Sequence, residues 1–178
     1  MDELKELAEK INACKRCELW KERKNTVPGE GSTESKLMFI GEAPGSREDE
    51  LGEPFCGKSG EFLDELFAIA KIRRENVFIT SVIKCRPPNN RVPKQDEIRA
   101  CKPFLEKQIE LVNPKIIVLL GEIALNTLLG MKGISSQHGK IIKKDRIYLP
   151  MFHPSAGMRF PKIRKEMEKD FAVLKGLL

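Results

Sequence analysis

Apolar residues follow two different patterns along this chain, one with helical spacing and one almost continuous. Between residues 4 and 11 they recur every three or four positions, which predicts a helix over residues 3–14 with Asp2 as its N-cap. Residues 115–120, by contrast, form a near-continuous apolar run, as central strands of parallel sheets do. The chain therefore combines helices with buried strands.

The two patterns alternate along the rest of the chain. Strands are predicted at residues 36–40, 77–82 and 115–120, and a weak hairpin at 140–143 with 146–152. Helices are predicted at residues 61–71, 96–111, 121–129 and 162–177. Loops are predicted at residues 46–54, 85–94 and 155–160. This alternation predicts an α/β domain over residues 1–178, with a parallel sheet between two helical layers.

Three loops follow predicted strands and carry polar or glycine-rich sequences. They are residues 41–45, 81–91 and 153–155. In open parallel sheets, ligands bind beyond the carboxyl ends of the strands. We therefore expect these three loops to converge on one cleft.

The charge of the chain suggests a candidate binding partner. Lys and Arg total 32 against 26 Asp and Glu, so the net charge is +6. The basic residues include two local clusters, Lys84, Arg86, Arg91 and Lys94, and Arg159, Lys162, Arg164 and Lys165. Such clusters are compatible with a polyanionic partner such as nucleic acid, although many solvated surfaces are equally basic.

The lengths of the hydrophobic runs also indicate where in the cell the protein is located. None approaches the ~20 residues that a membrane-spanning helix needs, and the longest covers residues 116–120. The charged N-terminal segment lacks the apolar region of a secretory signal. We therefore expect a cytoplasmic protein that does not enter a membrane.

Four of the five cysteines have spacing that suggests a shared site. Cys14 and Cys17 form a Cys-x-x-Cys pair, and Cys85 and Cys101 lie far downstream. A structural disulfide is disfavoured in a cytosolic chain. The spacing leaves open zinc, an iron–sulfur cluster, redox chemistry and free buried thiols. Cys56 has no partner at such a spacing, and we interpret it as a small packed residue.

Three sequence blocks carry a family resemblance. They are Gly41-Glu42-Ala43-Pro44-Gly45, then Lys84-Cys85-Arg86-Pro87-Pro88-Asn89-Asn90-Arg91, and finally His153-Pro154-Ser155. Together with the four cysteines, these blocks resemble the family 4 uracil-DNA glycosylases over essentially the whole chain. The resemblance implies an enzyme of base-excision repair that hydrolyses the N-glycosidic bond of uracil in DNA.

The same resemblance implies a fold and a cofactor. The fold is a three-layer α/β/α sandwich with a central four-stranded parallel sheet. The cofactor is a [4Fe–4S] cluster held by Cys14, Cys17, Cys85 and Cys101, with an architectural role near the DNA.

The resemblance also implies roles at the base. The turn containing Gly41, Glu42, Ala43 and Pro44 would bind the uracil edge through its main chain, since glycine permits close approach. Phe55, expected in an exposed loop, would stack on the base, and Ser81 would read its edge. His153 would stabilise the departing uracil anion. Glu48 is our preferred residue for positioning the water, with Glu42 as the alternative, although either carboxylate could be an ordinary loop charge.

DNA contacts are expected outside the base pocket. Lys84, Arg86 and Arg91 are candidates for phosphate binding. Met158 and Arg159 are candidates for a wedge that enters the base stack vacated by the extruded uracil. For each basic residue a solvated surface charge is the competing interpretation.

Ser81 departs from the family pattern, in which most relatives have Asn. An amide pairs with uracil in a fixed orientation, whereas a hydroxyl rotates freely. We therefore expect weaker discrimination between bases and activity on other deaminated bases.

Two further hypotheses compete with this interpretation. A non-catalytic nucleic-acid-binding module with zinc or iron–sulfur would explain the charge and the cysteines. A related enzyme that traps the abasic product covalently would carry a basic, His-containing insert, which residues 87–93 lack. We expect the protein to be a monomer, and a sliding clamp is a candidate partner.

Overall fold

The computed structural model describes residues 3–178, so the predicted N-cap Asp2 lies outside the described residues. Its strands are β1 Leu37–Gly41, β2 Phe78–Ser81, β3 Ile116–Leu120, β4 Ile142–Lys143 and β5 Ile147–Met151. Its α-helices are α1 Glu3–Asn12, α2 Ser46–Leu51, α3 Lys58–Ile69, α4 Gln95–Val112, α5 Glu122–Leu129, α6 Ile134–Gln137, α7 Pro154–Arg159 and α8 Pro161–Lys175. Short 3₁₀ segments occur at Glu18–Lys21, Arg74–Asn76 and Pro88–Asn90.

The strands form one sheet in the order β2-β1-β3-β5-β4. The first four strands in that order are parallel, and their carboxyl ends lie at one edge. The fifth, β4, pairs antiparallel with β5 through Ile142 and Lys143. The α/β class is confirmed, but the sheet has five strands rather than the expected four. The predicted hairpin at residues 140–152 adds its short first arm to the sheet edge.

Alternation along the strands divides the core into two layers. Phe39 faces a cluster that includes Phe67 of α3 and Phe171 of α8. Its neighbour Met38 faces the opposite cluster, which includes Leu105 of α4. Successive strand residues point to opposite faces, so a strand buried on both faces is apolar throughout, as its sequence indicated. The helices therefore cover both faces of the sheet.

Two predicted loops are helical. Residues 46–54 contain α2, whose first turn carries Glu48 and Asp49 and which ends at Gly52 in the left-handed conformation. Residues 155–160 lie mostly in α7, which begins with Pro154 at its first position, where a missing amide hydrogen is tolerated. Both helices are one to two turns long, too short for hydrophobic periodicity to reveal them.

The described part of the chain contains no helix that combines the length and apolar character needed to cross a bilayer.

The core cluster that contains Phe39 and Phe171 gives a prediction about stability. Phe171 is fully buried, and its ring stacks on Phe39 with centroids 6.1 Å apart. Phe171→Ala should lower the free energy of unfolding by ~3–5 kcal/mol, because it removes buried area and leaves a cavity. Val173→Ala, on the same helix but 39% exposed, should change it by less than about 0.5 kcal/mol. Denaturant unfolding measures both, and equal losses would contradict this packing.

Candidate active site

The three loops after β1, β2 and β5 meet at a cavity of about 280 Å³. The turn after β1 contributes Glu42, Ala43 and Pro44, the end of β2 contributes Ser81, and the loop after β5 contributes His153. Parallel strands place these loops on the same edge of the sheet, as the strand order predicts. The polar groups of this cavity are therefore assembled from distant parts of the sequence.

The His153 imidazole has a defined orientation and charge. The backbone N–H of Ser155 donates to its Nδ1 over 3.2 Å, and the Ser155 hydroxyl lies 2.8 Å from the same atom. Because Nδ1 accepts that bond, the neutral ring carries its hydrogen on Nε2. Burial lowers the pKa of His153 to about 4, so the ring is neutral at physiological pH. His153 is thus a neutral donor at the cavity wall.

Phe55 and His153 both line the cavity, and their rings are direct neighbours, with centroids 5.7 Å apart and planes tilted by 30°. The expectation of an exposed loop is wrong, because Phe55 is only 7% exposed and belongs to the core cluster. Its φ of 47° lies in the left-handed region, which large residues rarely adopt. A Cβ on Gly41 would lie 2.7 Å from the Phe55 ring, and one on Gly60 would lie 1.7 Å from its carbonyl oxygen. Both glycines are therefore needed for this close packing.

The two candidate carboxylates differ in their surroundings. Glu48 Oε1 accepts hydrogen bonds from the backbone N–H groups of Cys56 and Gly57, at 3.1 and 3.0 Å. Glu48 therefore anchors the segment that carries Phe55. The Glu42 carboxylate also lines the cavity, but it makes no hydrogen bond or ion pair with residues 3–178. Desolvation raises its pKa above the usual value.

Lys84 does not lie where phosphate binding requires it. Its side chain is 1% exposed, and its ammonium donates to Thr80 Oγ1, the Ser81 carbonyl and Gln108 Oε1. Desolvation lowers its pKa to about 8. The expectation that Lys84 binds DNA phosphate is therefore wrong, because the chain after β2 turns this side chain inward.

The other predicted DNA contacts are accessible to different degrees. Arg91 lines the cavity but is held by buried Glu97 through two hydrogen bonds of 2.6 and 2.9 Å. Arg86 donates to Asn90 Oδ1 over 2.7 Å. Met158 and Arg159 are exposed near the end of α7. Arg86 and Arg91 are thus held by neighbouring side chains, whereas Met158 and Arg159 project from the surface.

Asn90 lines the cavity, and sequence reasoning assigned it no role. Its φ is 55°, and Arg86 holds its side-chain oxygen, so its amide N–H₂ remains available as a donor. The sequence feature that could have pointed to Asn90 is the pair Asn89-Asn90 in a Pro-rich loop. Asn tolerates the left-handed conformation better than most residues, so such a pair indicates a sharp turn.

The four cysteines lie together in a second cavity. Cys14, Cys17, Cys85 and Cys101 all line it, and none is in a disulfide. Cys14 and Cys17 lie in the segment just after α1, Cys85 lies in the loop after β2, and Cys101 lies in α4. Arg23 Nη1 donates to Cys85 Sγ over 3.2 Å.

This donor set fits an iron–sulfur cluster, whose ligands are thiolates. Among residues 3–178, no three Cys, His, Asp or Glu side chains converge as a site for a metal ion. The thiols instead surround the cavity between α1 and α4.

Comparisons with known proteins agree with this geometry. Residues 28–175 match the family model of the uracil DNA glycosylase superfamily. A Type-4 uracil-DNA glycosylase of Saccharolobus solfataricus is 44% identical over 100% of this chain and 88% of its own. Relatives of the same name from Sulfurisphaera tokodaii and Thermotoga maritima are 43% and 42% identical, over 99% and 89% of this chain and 86% and 85% of their own. The chain therefore belongs to the uracil-DNA glycosylase superfamily.

Proposed function

We propose that this protein removes uracil from DNA by hydrolysing its N-glycosidic bond, as the first step of base-excision repair. Relatives named Type-4 uracil-DNA glycosylase match nearly the whole chain. The observation that carries the proposal is the neutral His153 donor beside the Phe55 ring in a cavity at the carboxyl edge of the sheet. A binding module would not need that pairing of a base-sized pocket with an oriented hydrogen-bond donor.

The cavity suits one extruded base. A uracil inside a duplex must leave the stack before its glycosidic bond is accessible. Phe55 offers a ring face for stacking, and the main chain of Glu42, Ala43 and Pro44 offers polar groups for the base edge. Ser81 lies beside them at the end of β2.

His153 stabilises the leaving group in this proposal. As the C1′–N1 bond breaks, negative charge develops on the uracil oxygens, and the Nε2 hydrogen of His153 donates to O2. A neutral donor fixed before the reaction stabilises that charge without reorganisation of the site. Ser155 supplies the orientation, since its N–H occupies Nδ1.

Glu42 replaces Glu48 as our preferred water-positioning residue. The Glu48 carboxylate already binds two backbone N–H groups, whereas Glu42 lines the cavity without such partners among residues 3–178. In the reaction, the oxygen of water bonds to C1′ and the C1′–N1 bond breaks. Glu42 accepts the water proton, and the uracil anion takes its proton from solvent.

Ser81 bears on the choice of base. Its hydroxyl can rotate to serve as donor or acceptor, so it imposes less orientation on the base than an amide does. We therefore propose that hypoxanthine and other deaminated bases are released as well, at lower rates than uracil.

Contacts with the rest of the DNA complete the proposal. Arg91 of the cavity wall and Arg86, which bonds to Asn90 beside it, bind phosphate, and Met158 and Arg159 enter the gap in the base stack. We propose that the protein acts as a cytoplasmic, single-domain monomer. A sliding clamp is the partner whose effect on uracil release is worth measuring.

We further propose that Cys14, Cys17, Cys85 and Cys101 hold a [4Fe–4S] cluster. It would join α1 and α4 to the loop that follows β2, next to the base pocket. Such a cluster supplies a rigid, thiolate-bound crosslink between segments. The hydrogen bond from Arg23 to Cys85 would stabilise the thiolate.

His153 gives the first prediction of function. His153→Ala should lower kcat for uracil release by ~10²–10³-fold, as loss of an oxyanion donor does. His138→Ala serves as the control, because His138 pairs with Asp170 and does not line the cavity. The assay uses oligonucleotides with U:G, U:A, single-stranded uracil and hypoxanthine. Full activity of His153→Ala, or no release from any substrate by the wild-type protein, would refute the proposal.

Glu42 gives a prediction of pH dependence. Desolvation raises the pKa of Glu42 above 4.5, whereas His153 protonates only near pH 4. As pH falls, Glu42 therefore gains its proton first, and kcat/KM should decline with an apparent pKa above 4.5. Glu42→Gln should release uracil slowly, and its kcat/KM should not decline further at low pH. Glu48→Gln, which retains an acceptor oxygen for the two backbone N–H groups, should show the same decline as the wild-type protein. An unchanged acid limb in Glu42→Gln would exclude Glu42 as the base.

The cysteines give a prediction of metal content. Protein purified without oxygen should contain about four iron atoms per chain. Cys101→Ala should lose iron, while Cys56→Ala, outside the four-thiol cavity, should keep it. Stoichiometric zinc without iron would contradict the cluster and favour the zinc-bound alternative.

A further inference from the structure

Lys84 is a buried charge for which the proposed reaction has no use. Its side chain is 1% exposed, yet its Nζ lies 2.6 Å from Thr80 Oγ1, 2.6 Å from the Ser81 carbonyl oxygen and 2.7 Å from Gln108 Oε1. An ammonium has three hydrogens, and each of them has one acceptor here. Among the described residues no carboxylate pairs with it within 4.0 Å, so these three oxygens are its hydrogen-bond acceptors. Lys84 also lines the four-cysteine cavity, where its charge interacts with Cys101, and the iron content of any Lys84 variant must therefore be matched.

The acceptors join three parts of the fold. Thr80 and Ser81 end β2, and Gln108 lies in α4. Gln108 in turn donates through Nε2 to the carbonyl of Pro28. The Lys84 ammonium is thus the common donor that fastens the end of β2 to the helix behind it.

The backbone of Lys84 extends this attachment to a second residue of the cavity wall, Val27. Its carbonyl accepts the N–H of Val27 over 2.8 Å, and Val27 lines the base cavity, as Ser81 does. The next bonds along the chain run from Val82 N–H to the Gly41 carbonyl, at 2.9 Å, and from Ile83 N–H to the Glu42 carbonyl, at 3.3 Å. Removal of the ammonium would therefore leave the β2 end held by its backbone bonds but without its internal anchor.

We propose that Lys84 is a positioning residue for base recognition, whose ammonium holds the Ser81 carbonyl and thereby places the Ser81 hydroxyl at the edge of the bound base. The proposal rests on the proposed function, because Ser81 must contact the base for its placement to matter. It also explains why a lysine beside the pocket need not touch DNA.

A direct electrostatic effect on bound DNA is a different role and predicts a different result. A buried ammonium that acted by attracting phosphate would lose its effect at high salt, because counterion release makes such contacts salt-dependent. A positioning lysine should act equally at low and high salt.

The test is a double-mutant cycle between Lys84→Met and Ser81→Ala, in holoprotein of matched iron content. Met has a similar length and removes only the charged donor. We expect Lys84→Met to lower kcat/KM for uracil release about tenfold in the Ser81 protein and less than twofold in Ser81→Ala, as contacting residues are non-additive. Lys107→Met, which removes an exposed lysine from α4, should leave kcat/KM unchanged in both backgrounds.

Thermal unfolding of each variant distinguishes a loss of positioning in a folded protein from a loss of the fold itself. If Lys84→Met does not fold, Thr80→Val provides the second variant, since it removes one of the three acceptors. It should lower kcat/KM about threefold with Ser81 present and have no effect in Ser81→Ala.

Each contrary outcome identifies what fails. Equal losses in the two backgrounds would overturn the positioning role of Lys84 and leave the proposed function standing. An effect of Lys84→Met that disappears at high salt would also overturn it, in favour of phosphate attraction. If Ser81→Ala behaves like wild type, both the base-reading role of Ser81 and the role of Lys84 fail. Absence of uracil release in the wild-type protein would refute the proposed function itself.

Discussion

Parallel pairing of β1 with β2 and β3, and of β3 with β5, is the constraint on which the site depends. It brings the carboxyl ends of the strands to one edge, so loops as distant in sequence as those of Glu42 and His153 form one cavity. Each strand is held by apolar packing on both faces, which leaves little freedom for its end to move. The chemistry therefore depends on a sheet whose core contains no catalytic group.

Desolvation determines how the polar groups at this edge behave. It keeps His153 neutral and raises the pKa of Glu42. It also means that burial of the Lys84 ammonium costs free energy unless each of its three N–H groups makes a hydrogen bond. Together these effects provide a neutral donor, a carboxylate with little solvation and a fixed strand end. The same low polarity strengthens interactions with charge that develops during bond cleavage.

The sequence predicted the alternation of strands and helices, and the three loops that meet at the cavity, because buried parallel strands are apolar throughout. It missed α2 and α7, since helices of one or two turns show too little periodicity. It also missed the short strand β4 as a member of the sheet, because two residues of a hairpin carry no signal of which edge they join.

Individual side chains were harder to predict than loops. Lys84 occurs in a basic segment, and only the path of the chain after β2 shows that its side chain turns inward. Phe55 was expected in an exposed loop, but its packing depends on Gly41 and Gly60, which are distant from one another in sequence. The contrast between Glu42 and Glu48 depends on which backbone N–H groups lie nearby, a property of the folded loop.

A crystal structure of the protein with uracil bound would test the central claim most directly. We predict that the uracil ring stacks on Phe55 at the carboxyl edge of the sheet, with its O2 within hydrogen-bonding distance of His153 Nε2. We also predict that the Ser155 N–H still donates to Nδ1. Uracil bound elsewhere, or a His153 ring turned so that Nδ1 faces the base, would contradict this account.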